Sequence, residues 1–132
     1  MTTVISKPSK ARPKHLDLTK IRLPLPGWVS IMHRVSGAAL FIALPLLLWL
    51  LDMSLSTEIG FDALREILAQ WWAKLMLAGL LWSYMHHFCA GIRYLFLDVH
   101  KGIDLPSARM SAGAVYFISL PLTLLLAWGL FL

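Results

Sequence analysis

The sequence is poor in charged residues and in cysteine. Asp, Glu, Lys and Arg make up 14% of its 132 residues, whereas soluble domains carry about 25%. The single cysteine, Cys89, excludes a disulfide framework within the chain, and we interpret it as a small buried apolar residue. The alternation of apolar and polar residues that is typical of membrane β-barrels is also missing. This composition favours a helical membrane protein over a soluble domain.

The missing charges leave three long uncharged runs. Their charged borders are Arg34 and Asp52 for the first run, Lys74 and Arg93 for the second, and Arg109 for the third. Crossing the hydrocarbon core of a membrane takes about 20 mostly apolar residues in a helix. The sequence therefore predicts an all-α integral membrane protein with three transmembrane helices. The predicted spans are 29–51, 71–95 and 109–131.

The charges that remain are distributed unevenly around the predicted spans. Residues 1–34 hold seven basic residues and one acid, whereas residues 52–74 hold four acids and two basic residues. Lysine and arginine accumulate on the cytoplasmic side of membrane proteins. We therefore expect a basic cytoplasmic N-terminal segment, 1–28, followed by a transmembrane domain, 29–132. The expected location is the bacterial inner membrane, with a mitochondrial inner membrane as the less favoured alternative.

Two connecting segments carry local signals. The sequence Leu23-Pro24-Leu25-Pro26-Gly27 predicts a turn-rich entry to the first span, because it combines two prolines with a glycine. In the first loop, residues 61–68 have apolar side chains at helical spacing, which predicts a short surface helix.

Small residues at 111–114 predict close helix contact at the start of the third span.

Polar residues gather near the start of the first span. Ser30, His33, Arg34 and Gly37 follow the spacing i, i+3, i+4 and i+7, which places them on one helical face. Polar groups within a membrane are costly and usually mark function. The alternative is that Arg34 only reaches out to lipid headgroups.

A second polar group lies in the middle of the second span. Ser83, His87 and Gly91 form a stripe at i, i+4 and i+8, and His87 lies about 15 Å from the inner end of its span. It could bind a neighbouring helix by a hydrogen bond, or it could be an axial ligand of haem iron. His86 competes for the ligand role, but adjacent residues point about 100° apart on a helix, so only one can face an iron.

The depths of the two histidines bear on how a haem could be held. His33 lies roughly 6 Å into its span, so we expect it about 9 Å away from the depth of His87. That difference is too large for both to ligate one iron, so a six-coordinate haem needs a histidine from another chain. His33 and Arg34 are better suited to pair with haem propionates.

The two polar groups carry a family resemblance. Residues 30–37, SIMHRVSG, resemble the S-x-x-H-R-x-[ST]-G motif of the cytochrome b subunit of succinate dehydrogenase. Residues 87–98 resemble that family's H-x-x-x-G-I-R-H-x-x-x-D motif, with Tyr94 in place of the second histidine. Arg12-Pro13 and Leu16-Asp17-Leu18 are similar to the family's N-terminal stretch. The resemblance covers essentially the whole chain.

The resemblance implies a membrane-anchor subunit of respiratory complex II, which links the tricarboxylic acid cycle to electron transport. A flavoprotein subunit and an iron–sulfur subunit would carry their own cofactors, and a second small anchor subunit would share haem b and ubiquinone with this chain. The implied residues are His87 as axial ligand of the haem iron, His33, Arg34 and Gly91 around the haem, Ser30 and Arg34 at the quinone site, and Asp98 in proton uptake.

Several alternatives stay open from the sequence. The chain could anchor a quinol:fumarate reductase, keep only a quinone site without haem, or be a non-redox assembly protein whose histidines only pack. It has no flavin fingerprint and no cysteine cluster, so we expect no dicarboxylate chemistry in this chain itself.

Overall fold

The computed structural model describes residues 22–131, and this part of the chain is helical with short connections. The helices are α1, Leu25–Ser56; α2, Glu58–Ala69; α3, Trp71–Asp98; and α4, Leu105–Phe131. Three of them, α1, α3 and α4, are long and apolar enough to cross a membrane. The predicted all-α class with three spans is confirmed.

The helices extend beyond the predicted spans. α1 begins at Leu25, so the predicted turn at Leu23–Gly27 is wrong for its last three residues. Pro26 fits the first turn because the backbone N–H groups there have no partner within the helix. The predicted N-terminal segment, 1–28, lies mostly outside the described residues, and its last four residues belong to α1.

The short helix predicted at 61–68 is present as α2. Its N-cap is Thr57, whose Oγ1 accepts a hydrogen bond from the N–H of Gly60 at 3.0 Å. Leu64 is its buried residue. α2 therefore connects α1 to α3 as a capped helix, and it packs against them through the side that carries Leu64.

α3 is the central helix, because it packs against both α1 and α4. The core where the three meet consists of Val29, Ala90, Ala112 and Val115. Ala112 comes from the predicted small-residue stretch and is fully buried. Small side chains let helix backbones approach closely, which is how helices associate where lipid offers no hydrophobic driving force.

The outer surface of the bundle is strongly apolar. Phe41, Phe117 and Leu124 are 78%, 84% and 71% exposed, respectively. Soluble monomers rarely expose large contiguous apolar patches. This surface therefore suits lipid and the helices of a partner.

The connection between α3 and α4 is fixed at both ends. Arg93 is 7% exposed, donates from Nε to Ser111 Oγ at 3.0 Å, and donates from Nη2 to the carbonyl of Ala108 at 3.3 Å. Asp104 Oδ2 accepts from the N–H of Ser107 at 3.0 Å, and this bond lowers the pKa of the exposed Asp104 carboxyl. The start of α4 is thereby held against the end of α3.

Candidate functional site

The two polar groups predicted from the sequence meet between α1 and α3. The imidazole rings of His33 and His87 stack with their centroids 4.2 Å apart and their planes 7° from parallel. Both residues are half-buried. Two histidines that are 54 residues apart in sequence therefore form one unit at the α1–α3 contact.

A hydrogen bond fixes the tautomer of His87. Its Nδ1 lies 2.9 Å from the backbone carbonyl oxygen of His33, and a carbonyl can only accept. Nδ1 must therefore carry the proton, so Nε2 of the neutral ring keeps its lone pair. Histidines that ligate metals usually donate their other ring N–H in this way, which fixes both tautomer and ring orientation.

Ser36 is a site residue that the sequence reasoning did not single out. It is 2% exposed, its hydroxyl donates to the carbonyl of His33 at 3.0 Å, and its Oγ lies 3.4 Å from Nδ1 of His87. A signal was available, because Ser36 stands at the serine or threonine position of the S-x-x-H-R-x-[ST]-G motif. Ser36 supports the carbonyl that orients His87.

A glycine on each of the two helices lies against the histidine pair, and Gly37 is the one that the stacking requires. A Cβ on Gly37 would lie 2.7 Å from Cε1 and 3.1 Å from Nδ1 of His87, closer than side chains allow. A Cβ on Gly91 would contact only Nε2 of His33, at 3.8 Å. Each imidazole thus lies beside a glycine of the opposite helix, and Gly37 gives the ring of His87 its close approach to α1.

The predicted depth difference between His33 and His87 is wrong. The centroids of the two imidazole rings are only 4.2 Å apart, so the rings cannot differ in depth by the predicted 9 Å. α1 begins four residues before the predicted span, so His33 is the ninth residue of its helix. The two rings therefore meet at one level between α1 and α3.

Ser30 and Arg34 lie on α1 beside this unit. Together with His33 and Gly37 they occupy an arc of about 100° on the helix. His33, at one edge of the arc, stacks on α3, whereas Arg34, at the other edge, is exposed. Ser30 is half-buried between these edges. The structure therefore leaves a hydroxyl and a guanidinium on an open surface next to the histidine pair.

His86 is enclosed on a different face of α3, about 100° around the helix from His87. It is fully buried, and its ring lies 5.1 Å from the ring of Tyr116 and 5.4 Å from that of Trp82, centroid to centroid. Neither ring nitrogen has a hydrogen-bond partner among the described residues. His86 faces α4 and His87 faces α1, as the angle between adjacent helical residues requires.

Tyr94 and Asp98 occupy the end of α3 below the histidine pair. The ring of Tyr94 lies against that of His33, with centroids 5.1 Å apart and planes at 51°. Its hydroxyl is buried without a partner among the described residues. Asp98 is exposed at the last position of α3 and lies about 16 Å along the helix from His87. The structure therefore does not bring Asp98 into contact with the pair.

Protein side chains alone do not form a metal site here. Within residues 22–131 there is no group of three or more His, Cys, Asp or Glu side chains that could hold a metal ion. His87 offers a single oriented nitrogen. That donor set fits a metal whose other ligands come from elsewhere.

Comparisons with known proteins identify the family of the chain. Residues 8–126 match the family described as succinate dehydrogenase/fumarate reductase transmembrane subunit. A succinate dehydrogenase cytochrome b556 subunit of Coxiella burnetii is 37% identical over 109 residues, which cover 82% of this chain and 87% of the relative. The protein of the same name from Paracoccus denitrificans is 32% identical over 114 residues, with coverage of 86% and 88%.

A more distant relative spans nearly the full length. The succinate dehydrogenase cytochrome b556 subunit of Rickettsia prowazekii is 29% identical over 126 residues, which cover 96% of this chain and 98% of the relative. The three membrane-spanning helices lie almost entirely within the region that the family match covers. The chain therefore belongs to the family of succinate dehydrogenase/fumarate reductase transmembrane subunits.

Proposed function

We propose that this chain is the cytochrome b anchor of a succinate:quinone oxidoreductase, with His87 as an axial ligand of haem b. The observation that carries the proposal is the hydrogen bond from His87 Nδ1 to the carbonyl of His33. It leaves Nε2 as the metal-binding nitrogen and holds the ring through the backbone of α1.

The residues around His87 fit a haem. When bound, haem b accepts and releases single electrons, and its potential depends on axial ligands and on hydrogen bonds to them. Gly91 leaves space beside the pair, because a Cβ there would meet only His33. His33 and the exposed Arg34 supply an imidazole and a guanidinium for propionate groups, to which arginine can donate two parallel hydrogen bonds.

The second axial ligand comes from a partner subunit in this proposal. The lone pair of an imidazole lies in the plane of its ring, and the rings of His33 and His87 are stacked face to face. The two lone pairs therefore lie in parallel planes that are offset from each other, so His33 and His87 could not both hold one haem iron. In this proposal His33 is therefore not the second ligand, because its ring is stacked on that of His87.

Quinone reduction is assigned to the surface that carries Ser30 and Arg34. A quinone takes up two electrons and two protons, and negative charge that develops on its oxygens is stabilised by positioned donors and positive charge. The guanidinium of Arg34 and the hydroxyl of Ser30 supply these groups, while Asp98, exposed near the membrane surface, assists proton uptake in this proposal.

In this proposal the oxidation of succinate belongs to partner subunits. Within the chain there is no flavin fingerprint and no cysteine cluster, so a flavoprotein and an iron–sulfur subunit oxidise succinate and deliver electrons. The relatives are named succinate dehydrogenase subunits, which favours ubiquinone reduction over fumarate reduction. We assign the chain to the bacterial inner membrane with its basic N-terminal segment on the cytoplasmic side.

The ligand assignment is tested by comparing His87→Leu with His86→Leu in the purified complex. Reduced-minus-oxidised spectra should show b-type bands in the wild type and in His86→Leu, and none in His87→Leu. Bands that persist in His87→Leu would refute the assignment of this residue. A wild-type complex without b-type bands would favour an anchor with only a quinone site if it reduces ubiquinone, and a non-redox assembly protein if it does not.

A further inference from the structure

A long apolar groove runs between α3 and α4, away from the histidine pair. Its volume is about 640 Å³, and neither His33, His87 nor Arg34 lines it. The walls are mostly apolar side chains, among them those of Tyr84, Phe88, Cys89, Ile92 and Met110. That volume lies within the range of small-molecule sites, about 300–1,000 Å³. The groove is therefore a second candidate site, separate from the proposed haem and quinone surface.

One end of the groove is polar and basic. Arg93, Lys101, Ser107 and Ser111 line it where α3 and α4 are joined by their loop. Arg93 is 7% exposed, and the two described acceptors of its guanidinium are a hydroxyl and a backbone carbonyl, neither of which is an anion. A buried cation is costly unless an anion or several acceptors compensate it. This end therefore offers an almost fully buried positive charge with donors to spare, beside the exposed Lys101.

The dimensions match one leaflet of a membrane. Along α3 the groove extends from Tyr84 to Leu97, which is about 20 Å at the helical rise. Half of the hydrocarbon core is about 15 Å thick. A groove that begins at a basic loop and runs apolar for this distance has the polarity of a phospholipid, with the headgroup at the loop and an acyl chain along the helices.

We propose that this groove binds one anionic phospholipid, with its phosphate at Arg93 and Lys101 and an acyl chain between α3 and α4. Basic pockets between transmembrane helices are the kind of site that recognises acidic headgroups. Asp98 and Asp104 lie in the same region but do not line the groove, so the charge that faces the headgroup is positive. The proposal depends on the α3–α4 contact and not on the haem assignment.

The experiment uses the intact purified complex in mild detergent, titrated with phosphatidylglycerol or with phosphatidylcholine. Native mass spectrometry counts the lipids that stay bound. Wild type should retain one phosphatidylglycerol in preference to phosphatidylcholine. Lys101→Gln should weaken phosphatidylglycerol binding about fivefold, the effect of one basic residue near a lipid headgroup. Arg109→Gln is the matched control, because Arg109 is an exposed cation at the start of α4 that does not line the groove.

A second variant tests the apolar part of the site. Ala114→Phe places a large side chain in the groove, since Ala114 is exposed and lines it. It should abolish the retained phosphatidylglycerol while haem spectra and subunit composition stay unchanged. The proposal would be overturned if the wild type bound both lipids equally. It would also be overturned if either Lys101→Gln or Ala114→Phe bound phosphatidylglycerol as well as the wild type does. Loss of a partner subunit from Ala114→Phe would also overturn it, because the groove would then be a protein interface.

Discussion

The ring of His87 stacks on the ring of His33 at a centroid distance of 4.2 Å, and Nδ1 of His87 donates to the backbone carbonyl of His33. His33 therefore acts on His87 twice, through its side chain and through its backbone. The stacking limits rotation of the His87 ring, and the hydrogen bond selects its tautomer. In our proposal this pair is the means by which α1 orients a metal ligand that belongs to α3.

Gly37→Ala should displace the His87 ring. The new Cβ would lie 2.7 Å from His87 Cε1, so the ring or the α1–α3 contact must shift. Overpacking of this kind costs about 1–3 kcal/mol. We expect a lower haem content per complex and a lower unfolding temperature, measured by absorbance and by thermal denaturation.

The control for this change is Gly79→Ala on α3. A Cβ on Gly79 would meet nothing within 4 Å, and alanine is the better helix former by about 1 kcal/mol. This variant should keep its haem and be as stable as the wild type or slightly more so. A Gly37→Ala complex that also keeps full haem content would contradict the assigned close approach of His87.

Ser36→Ala should loosen the His87 ring without removing the haem. The change deletes the hydroxyl that donates to the His33 carbonyl, a hydrogen bond with a net contribution of about 0.5–1.5 kcal/mol. We expect a full complement of haem with a shifted midpoint potential or a broadened electron paramagnetic resonance signal. Ser83→Ala is the matched control, because its hydroxyl bonds only to Gly79 of its own helix. If the Ser36→Ala complex had the same spectrum and midpoint potential as the Ser83→Ala and wild-type complexes, a positioning role for Ser36 would be excluded.

Arg34→Gln should impair quinone reduction while leaving succinate oxidation intact. In our proposal the guanidinium stabilises charge that develops on the quinone, and loss of one such donor costs about 10²–10³ in kcat. The measurement compares succinate:ubiquinone activity with succinate oxidation by a dye that takes electrons from the partner subunits. Ser30→Ala should lower the same activity to a smaller extent. Unchanged ubiquinone reduction in both variants would place the quinone elsewhere.

Arg93→Lys should destabilise the bundle at the α3–α4 contact. Lysine cannot reproduce the fork that bonds Ser111 Oγ and the Ala108 carbonyl together, and hydrogen bonds to charged groups contribute about 1.5–3 kcal/mol. We expect a lower unfolding temperature for the purified complex, and a smaller decrease for Ser111→Ala. Ser54→Ala, whose hydroxyl bonds to the Leu51 carbonyl of its own helix, should have no effect. Equal melting of Arg93→Lys and wild type would show that the fork does not stabilise the complex.

The number of spans and the polar faces could be read from the sequence. Uncharged runs of sufficient length have one stable solution in a bilayer, because only a helix satisfies its own backbone hydrogen bonds there. The spacing of Ser30, His33, Arg34 and Gly37 placed them on one face, and the angle between His86 and His87 separated their directions. Both inferences depend only on the geometry of a single helix.

Contacts between helices were decided by the tertiary structure alone. The 3.6-residue period sets angles around one helix but does not set the register of one helix against another. That register put Gly37 beside His87, stacked His33 on His87, and corrected the predicted depth difference. It also buried Arg93 against α4 and opened the α3–α4 groove, which no pattern within one helix could have indicated.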